Sequence, residues 1–287
     1  MKKGIALTII ANLIWGLMPV YWKLFPQVSP WKLLAFRILC SFCIVGGFLL
    51  LRKNTGWLRI FLNPEKRLRV ILSGLVISFN WGLYIWAVNN GHTIESSLGY
   101  YIHPVMVILM GLCLFREKLL PLQWGAFISA VIGVGLLTGL SGTFPWISLG
   151  LALSFSFYGL IKKELSFDPL DALGAETLAA SPIAVVLLCL NIPGLTSNAG
   201  ITPLTILALI PSGLITSIPL YCFARGTRLL PLSNMGFIQF ISPTFQFLLG
   251  VFIYREAFPL RNLIPFGFIW LSVILYSVSL LARRKGR

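Results

Sequence analysis

Ten apolar runs organise this chain, near residues 4–22, 33–51, 70–88, 97–115, 122–140, 146–161, 173–190, 204–223, 236–254 and 263–282. Runs of roughly 18–20 residues are long enough to cross about 30 Å of hydrocarbon. Hydrocarbon offers the backbone no water to bond, so each run has to close its own hydrogen bonds as a helix. The chain therefore reads as an all-α integral membrane protein with ten transmembrane helices. Composition agrees: 57% of residues are apolar and 11% charged, and the mean hydropathy is +0.88. Soluble domains carry roughly a quarter charged residues, and no polar stretch here is long enough for a separate soluble domain. The first run follows Met1-Lys2-Lys3 but ends in Tyr21-Trp22-Lys23. It is too long for a signal-peptide core and lacks a small-residue cleavage site, so an uncleaved first helix is expected.

Residues Ile102–Glu117, IHPVMVILMGLCLFRE, recur 139 positions later as Ile241–Glu256, ISPTFQFLLGVFIYRE, with six of the sixteen positions identical. Pro104 matches Pro243, Gly111 matches Gly250, and Arg116–Glu117 matches Arg255–Glu256; Ile102/Ile241 and Leu109/Leu248 complete the set. The first copy ends the fourth run and the second ends the ninth. Five crossings separate them, so the second copy enters from the opposite membrane face. Two inverted five-helix repeats are expected, residues 1–140 and 146–287, in a single membrane domain. Inverted halves of this kind hold a solute near the midplane between them in secondary transporters. The copies differ in spacing: Gly91 to Pro104 spans 13 residues and Gly226 to Pro243 spans 17.

The net charge of +15 could suit nucleic acid or lipid headgroups, and its distribution decides. With the N-terminus in the cytoplasm, eighteen of the lysines and arginines fall in inside segments. Only Lys23, Lys32, Arg255 and Arg261 fall outside, and Arg37 lies within a run. That bias places both termini in the cytoplasm, and no nucleic-acid partner is implied. The five cysteines, Cys40, Cys43, Cys113, Cys189 and Cys222, all sit inside apolar runs. Cys40 and Cys43 form a lone C-x-x-C on one helix, which reads as small packing residues. No nucleotide-binding loop, zinc signature or nucleophile motif is present. The chain is expected to be no enzyme, with no catalytic residue, metal site or cofactor.

Ionised groups near a bilayer centre cost roughly 2.5–3.5 kcal/mol or more, so each needs a reason. Arg37 and Glu176 are related by the same 139-residue offset. They are the candidates for coupling or a charge pair, although inversion puts them near opposite faces. Glu95, Glu117 and Glu256 lie at run ends, where water or headgroups are expected to solvate them. Asn80 and Tyr84 share a face of the third run with Trp81 and Trp86 flanking; Ser97, Tyr101 and Pro104 share one on the fourth, beside Tyr100 and His103. Asn12, Trp15, Gly16 and Pro19 line up on the first run, and Gln239, Ser242, Pro243 and Gln246 on the ninth. The expected substrate-binding set is Trp15, Asn80, Trp81, Tyr84, Ser97, Tyr101, His103, Gln239 and Gln246. Interhelical hydrogen bonds and interfacial aromatic belts are the alternative use of these residues. Pro104 and Pro243 each remove a mid-helix hydrogen bond and are expected to kink their helices. Gly125, Ser129 and Gly133 mark a close helix contact, within the chain or at a dimer seam.

The sequence resembles the RarD branch, the chloramphenicol-sensitive proteins, of the EamA-type drug/metabolite transporter superfamily, over about nine-tenths of its length. The resemblance is carried by Trp15-Gly16, Pro19, Tyr21-Trp22-Lys23, Arg37, the segment NWGLYIWAVNNGHTIESSLGYYIHP from Asn80 to Pro104, Glu117 and Gln123-Trp124. In the second half it is carried by Glu176-Thr177, Pro182, Ser212-Gly213, Pro219-Leu220 and RLLPLSNMGFIQFISPTFQFLLG from Arg228 to Gly250. Two positions depart from that branch: His103 stands where asparagine usually precedes the proline, and Phe36 where a histidine commonly precedes the arginine. The resemblance implies a multi-pass protein of the bacterial cytoplasmic (inner) membrane. It also implies a central cavity lined by both halves and movement of small metabolites or drugs, with an amino-acid-like substrate favoured. Export or exchange by alternating access is expected, without ATP. The expected partners are the small-molecule substrate, with proton coupling open, and the lipid bilayer, in a monomer or homodimer. A membrane-embedded enzyme or lipid-handling protein is the alternative.

Overall fold

A computed structural model describes residues 2–89, 92–141, 144–165, 167–192, 196–197, 201–255 and 263–285. The described residues form helices and connecting turns. In order these are α1 (Lys2–Trp22), α2 (Pro30–Leu51), the short α3 (Gly56–Arg59), α4 (Pro64–Asn89), α5 (Thr93–Leu114), α6 (Pro121–Ser141), α7 (Trp146–Glu164), α8 (Pro169–Cys189), α9 (Pro203–Leu209), α10 (Ser212–Leu229), α11 (Leu232–Gln239), α12 (Ile241–Leu248) and α13 (Leu263–Lys285). Among them, seven helical stretches are long and apolar enough to cross a bilayer; Pro203–Leu229 and Leu232–Ile253 each count as one. The other three apolar runs of the sequence fall in α4, α5 and α7. Charge explains α7, which ends on Lys162, Lys163 and Glu164. Within α5 the apolar stretch is Leu98–Leu114.

Helix starts follow a common chemistry. Ser29 Oγ accepts from Lys32 N ahead of Pro30, Asp168 accepts from Leu170 N ahead of Pro169, and Thr202 accepts from Thr205 N ahead of Pro203. A side-chain acceptor at the cap and a proline at the first helical position satisfy and pre-organise the first turn. The starts of α2 and α8 lie 139 residues apart, as do those of α4 and α9. Arg116 and Arg255, identical in the sequence repeat, share left-handed backbone conformations with φ of 51° and 54°. Each ends its apolar helix in a conformation that most side chains avoid.

The long helices pack as a bundle in which α5 lies on α7 and α11, α2 on α8 and α10, α1 on α10 and α12, α4 on α7 and α8, and α6 on α13. Small residues set the closest approaches. Ser129 Oγ donates to Phe268 O at 2.7 Å, and a Cβ on Gly133 would meet Pro265 O at 2.8 Å. The Gly125/Ser129/Gly133 face is thus spent on α13 inside the chain. On the other crossing, a Cβ on Gly236 would meet Pro104 O at 2.6 Å and one on Gly111 would meet Ser233 N at 2.8 Å. The two expected proline kinks differ: α5 runs as one helix through Pro104, whereas helix breaks at Phe240, three residues before Pro243, and ends in a π-helical turn, Leu249–Ile253.

Several charged residues correct the expectation of solvation. Lys32 is fully buried and donates to Leu188 O and Leu190 O, both at 2.6 Å, satisfying carbonyls at the end of α8. Glu117 is not left to water or headgroups: it accepts from Leu232 N (2.7 Å), Ser233 N (2.8 Å) and Ser233 Oγ (2.6 Å) at the start of α11, and pairs with Lys163 at 3.3 Å. Burial pushes its carboxyl up, but the hydrogen bonds from Ser233 and Leu232 and the Lys163 ammonium outweigh that and hold it below its ordinary value. The side chain of Glu95, like Glu256 itself, lies outside the described residues.

Candidate functional site

Residues of α1, α2, α4, α5, α7, α11 and α12 converge on one cavity of about 110 Å³. A single water needs roughly 10–15 Å³ on this scale, so the space is that of a small organic molecule. The wall comes from the C-terminal half of α1 and α4, the N-terminal half of α2 and α5, and the junction of α11 with α12. Antiparallel neighbours bring these portions to one end of the bundle, the end where α1 finishes and α2 begins.

Seven of the nine residues expected to bind substrate lie in this wall: Trp15, Asn80, Trp81, Tyr84, His103, Gln239 and Gln246. Tyr101 does not. Its hydroxyl donates to Pro243 O at 3.0 Å and its ring meets Phe266 edge-on at 5.1 Å, so it fastens α5 to α12 and α13. Tyr100, one residue earlier, takes the place in the wall, its ring 5.6 Å from that of Tyr84. Adjacent helical positions point about 100° apart, and a helix apolar all round gives little sign of which one faces inward. The side chain of Ser97 is outside the described residues. Arg37 is in the wall too, together with Met18, Trp22 and Phe155, three residues that apolar patterning did not single out.

The polar groups of the wall divide into partnered and unpartnered. Asn80 Nδ2 donates to Leu151 O and Ser154 Oγ, both at 2.8 Å, tying α4 to α7. Gln246 Nε2 reaches Trp15 O at 3.3 Å. His103 Nδ1 lies 3.0 Å from Ser156 Oγ, whose own proton goes to Ala152 O at 2.7 Å. With its proton on Ala152 O the serine accepts from the imidazole, and His103 Nε2 is then the acceptor nitrogen. Among the described residues that nitrogen has no well-formed hydrogen bond, and neither has the side-chain amide of Gln239, which lies near the imidazole; both residues are buried. Buried polar atoms are almost always hydrogen-bonded; orphans around a cavity mark a place for a polar guest.

Arg37 and Glu176 are not a pair. The Arg37 Nε donates to Thr216 Oγ1 at 3.3 Å, and its guanidinium lies 4.3 Å from the ring of Trp81 and 5.0 Å from that of Trp22. Glu176 is buried elsewhere, accepting from Lys162 Nζ and Ser73 Oγ, each at 2.6 Å. Lys162, which the sequence places in a solvated segment, is fully enclosed in that ion pair. A void of about 20 Å³, bordered by Trp81, Thr216 and Glu176, separates the pair from the cavity. Beneath the cavity Trp15 contacts Phe155 (5.4 Å between ring centres) and Phe223 (5.5 Å), and Tyr158 stacks on Phe223 at 6.0 Å. These rings separate the cavity from the far end of the bundle. Among the described residues no three His, Cys, Asp or Glu side chains group as metal ligands.

A family model described as the EamA-like transporter family matches residues 2–139 and again 145–278. Protein RarD of Escherichia coli K12 is 35% identical over 277 residues, covering 96% of this chain and 94% of that protein. An uncharacterized transporter of Bacillus subtilis, YojE, is 39% identical over 97% of this chain and 94% of its own length. Among solved structures, one described only as a crystal structure of a protein superposes with a TM-score of 0.74 at 19% identity, covering 98% of both chains. That likeness is one of fold.

Proposed function

The chain belongs to the EamA-like transporter family and is a membrane transporter of the cytoplasmic (inner) membrane, and we propose that it moves a small metabolite or drug, an amino-acid-like one by preference, through the cavity by alternating access. Ten crossings in two inverted halves, 1–140 and 146–287, with both termini in the cytoplasm, complete the reading. Three observations support that arrangement: the family model matches twice, helix starts and left-handed caps repeat at the offset of the sequence repeat, and basic residues crowd one set of alternate connecting segments. Helix packing has the matching form, since α4 lies on α7 as α10 lies on α1, and α4 on α8 as α10 on α2.

The observation that carries the function is a cavity walled by both halves whose buried Gln239 and His103 Nε2 lack partners. With the termini inside, this cavity lies toward the outer face, and the Trp15–Phe155–Phe223–Tyr158 rings close the inner side. The conformation is then outward-facing, and transport requires those rings to part while the outer helix ends close. Exchange or export follows from which side the substrate and any coupling ion are held at higher concentration. The embedded-enzyme alternative loses support, since Glu117 and Glu176 are both committed to helix capping or ion pairing.

Vesicles containing the purified protein test this reading. Flux of amino acids or drugs down an imposed gradient, reduced by Gln239→Leu, is expected. Turnover of a lipid substrate without any solute flux would replace transport with the enzyme reading.

A further inference from the structure

Arg37 is the only charged side chain among the described residues that wall the cavity, and no carboxylate answers it. Its Nε is held by Thr216 and its guanidinium is flanked by Trp22 and Trp81, while among the described residues its two terminal amino groups have no hydrogen-bond partner. Among the described residues it forms no ion pair and reaches no helix-end carbonyl; its contacts are Thr216 and the two tryptophan faces. The Trp faces and Thr216 hold it in one orientation. Uncompensated charge in such surroundings costs free energy unless an opposite charge arrives. A guanidinium presents parallel N–H donors that match a carboxylate in two-point fashion.

We propose that Arg37 receives the carboxylate of the transported molecule, so that the substrate class is a small monocarboxylate with an apolar or aromatic body. This deepens the reading of the cavity as the substrate site and rests on it. The charge count favours a monoanion: one fixed positive charge neutralises a carboxylate, but would leave a phosphate dianion half uncompensated in a low-dielectric wall. It disfavours organic cations, because the wall offers no acidic side chain to meet an ammonium. Trp15, Trp22, Trp81 and Phe155 supply flat apolar surface for the rest of the molecule. Gln239, with its amide unpartnered, stands across from α2 for a second polar group.

Trp22 and Trp81, whose rings flank Arg37, provide an optical readout. Purified full-length protein in lipid nanodiscs is titrated with 3-phenylpropionate, L-phenylalanine, L-phenylalaninamide and phenethylamine while its intrinsic fluorescence is followed. The two carboxylates should bind, and the amide and amine should bind at least roughly tenfold more weakly, the size of one lost charge-assisted contact. In Arg37→Gln the preference for acid over amide should vanish, and in Arg37→Lys part of it should remain; both variants are first checked for an unchanged melting profile. Acid and amide binding alike in the native protein would overturn the proposal, as would a preference that survives Arg37→Gln, or no binding of either acid at millimolar concentration. Amide or amine binding as tight as that of the acids, and lost in Gln239→Leu, would overturn the carboxylate assignment while leaving the cavity as the substrate site.

Discussion

Arg37 and Glu176 lie on α2 and α8 at the 139-residue offset of the sequence repeat, each seven residues after the proline that opens its helix. Their surroundings are opposite. Glu176 has a full set of partners, Lys162 and Ser73 at 2.6 Å each, and neither member of the ion pair reaches solvent. Arg37 has one hydroxyl, two aromatic faces and an open cavity. One buried charge is therefore consumed by the scaffold and the other faces the cavity. The same division runs through the neutral polar residues: Asn80 is tied to α7, while Gln239 and His103 Nε2 have no well-formed hydrogen bond among the described residues.

The largest effect should come from breaking the satisfied side. Lys162→Met leaves the Glu176 carboxylate buried without its counter-ion, a loss of about 3–5 kcal/mol. The melting temperature in detergent should fall by many degrees, and Lys162→Met/Glu176→Leu should recover most of the drop. A Lys162→Met protein that melts normally but has lost solute flux would move the pair from scaffold to transport machinery.

Next in size is Gly236→Val. Its side chain must enter space already within 2.6 Å of Pro104 O, which overpacks the α5–α11 crossing at a cost of about 1–3 kcal/mol. Lower thermal stability with ligand preference unchanged is expected; a normal melt would show that the crossing is looser than described.

Gln239→Leu attacks the unsatisfied side. Removing a buried amide that has no partner should leave the apo protein as stable as before or slightly more so. Ligand binding, by contrast, should weaken by roughly tenfold if one hydrogen bond of about 1.4 kcal/mol is lost. Loss of apo stability in this variant would mean that the amide has structural partners and that the contrast fails at this residue.

The smallest expected effect concerns Glu117. Its carboxyl is held below its ordinary value, so the stability it adds is present above the unfolded value of 4.5 and is lost as pH falls through the lower folded one. Glu117→Gln should cost about 1 kcal/mol, the size of a lost helix cap. Its melting temperature should differ from that of the native protein at neutral pH and converge with it as the solution is acidified below pH 4.5. A difference that stays constant with pH would show that the carboxylate charge plays no part in capping α11.

Helices were plain in the sequence because long apolar runs admit few other structures, and the repeat could be recognised because Pro, Gly and a left-handed Arg are hard to replace. The faces around Asn80 and Gln239 stood out because polar residues are costly in hydrocarbon and therefore few. What stayed hidden was direction and partnership. Tyr100 and Tyr101 differ only by which way the helix is turned, and nothing local says that Tyr101 spends its hydroxyl on Pro243 O. Phe155 looks like any lipid-facing phenylalanine until α7 is folded onto α5 and its ring meets Trp15 and His103. Lys162 reads as a cytoplasmic lysine until Glu176, on the next helix, is folded against it. These are contacts between helices, and apolar periodicity carries no record of them.

Counterflow in vesicles tests the central claim most directly, that the unpartnered wall around Gln239 and Arg37 is where substrate is carried. Vesicles preloaded with L-phenylalanine and diluted into a trace of the labelled compound should accumulate label through the native protein. Gln239→Leu and Arg37→Gln, both normally folded, should slow that accumulation at least roughly tenfold, as the loss of one contact predicts. Equal accumulation by the native protein and both variants would contradict the account, as would native vesicles that exchange no faster than protein-free ones.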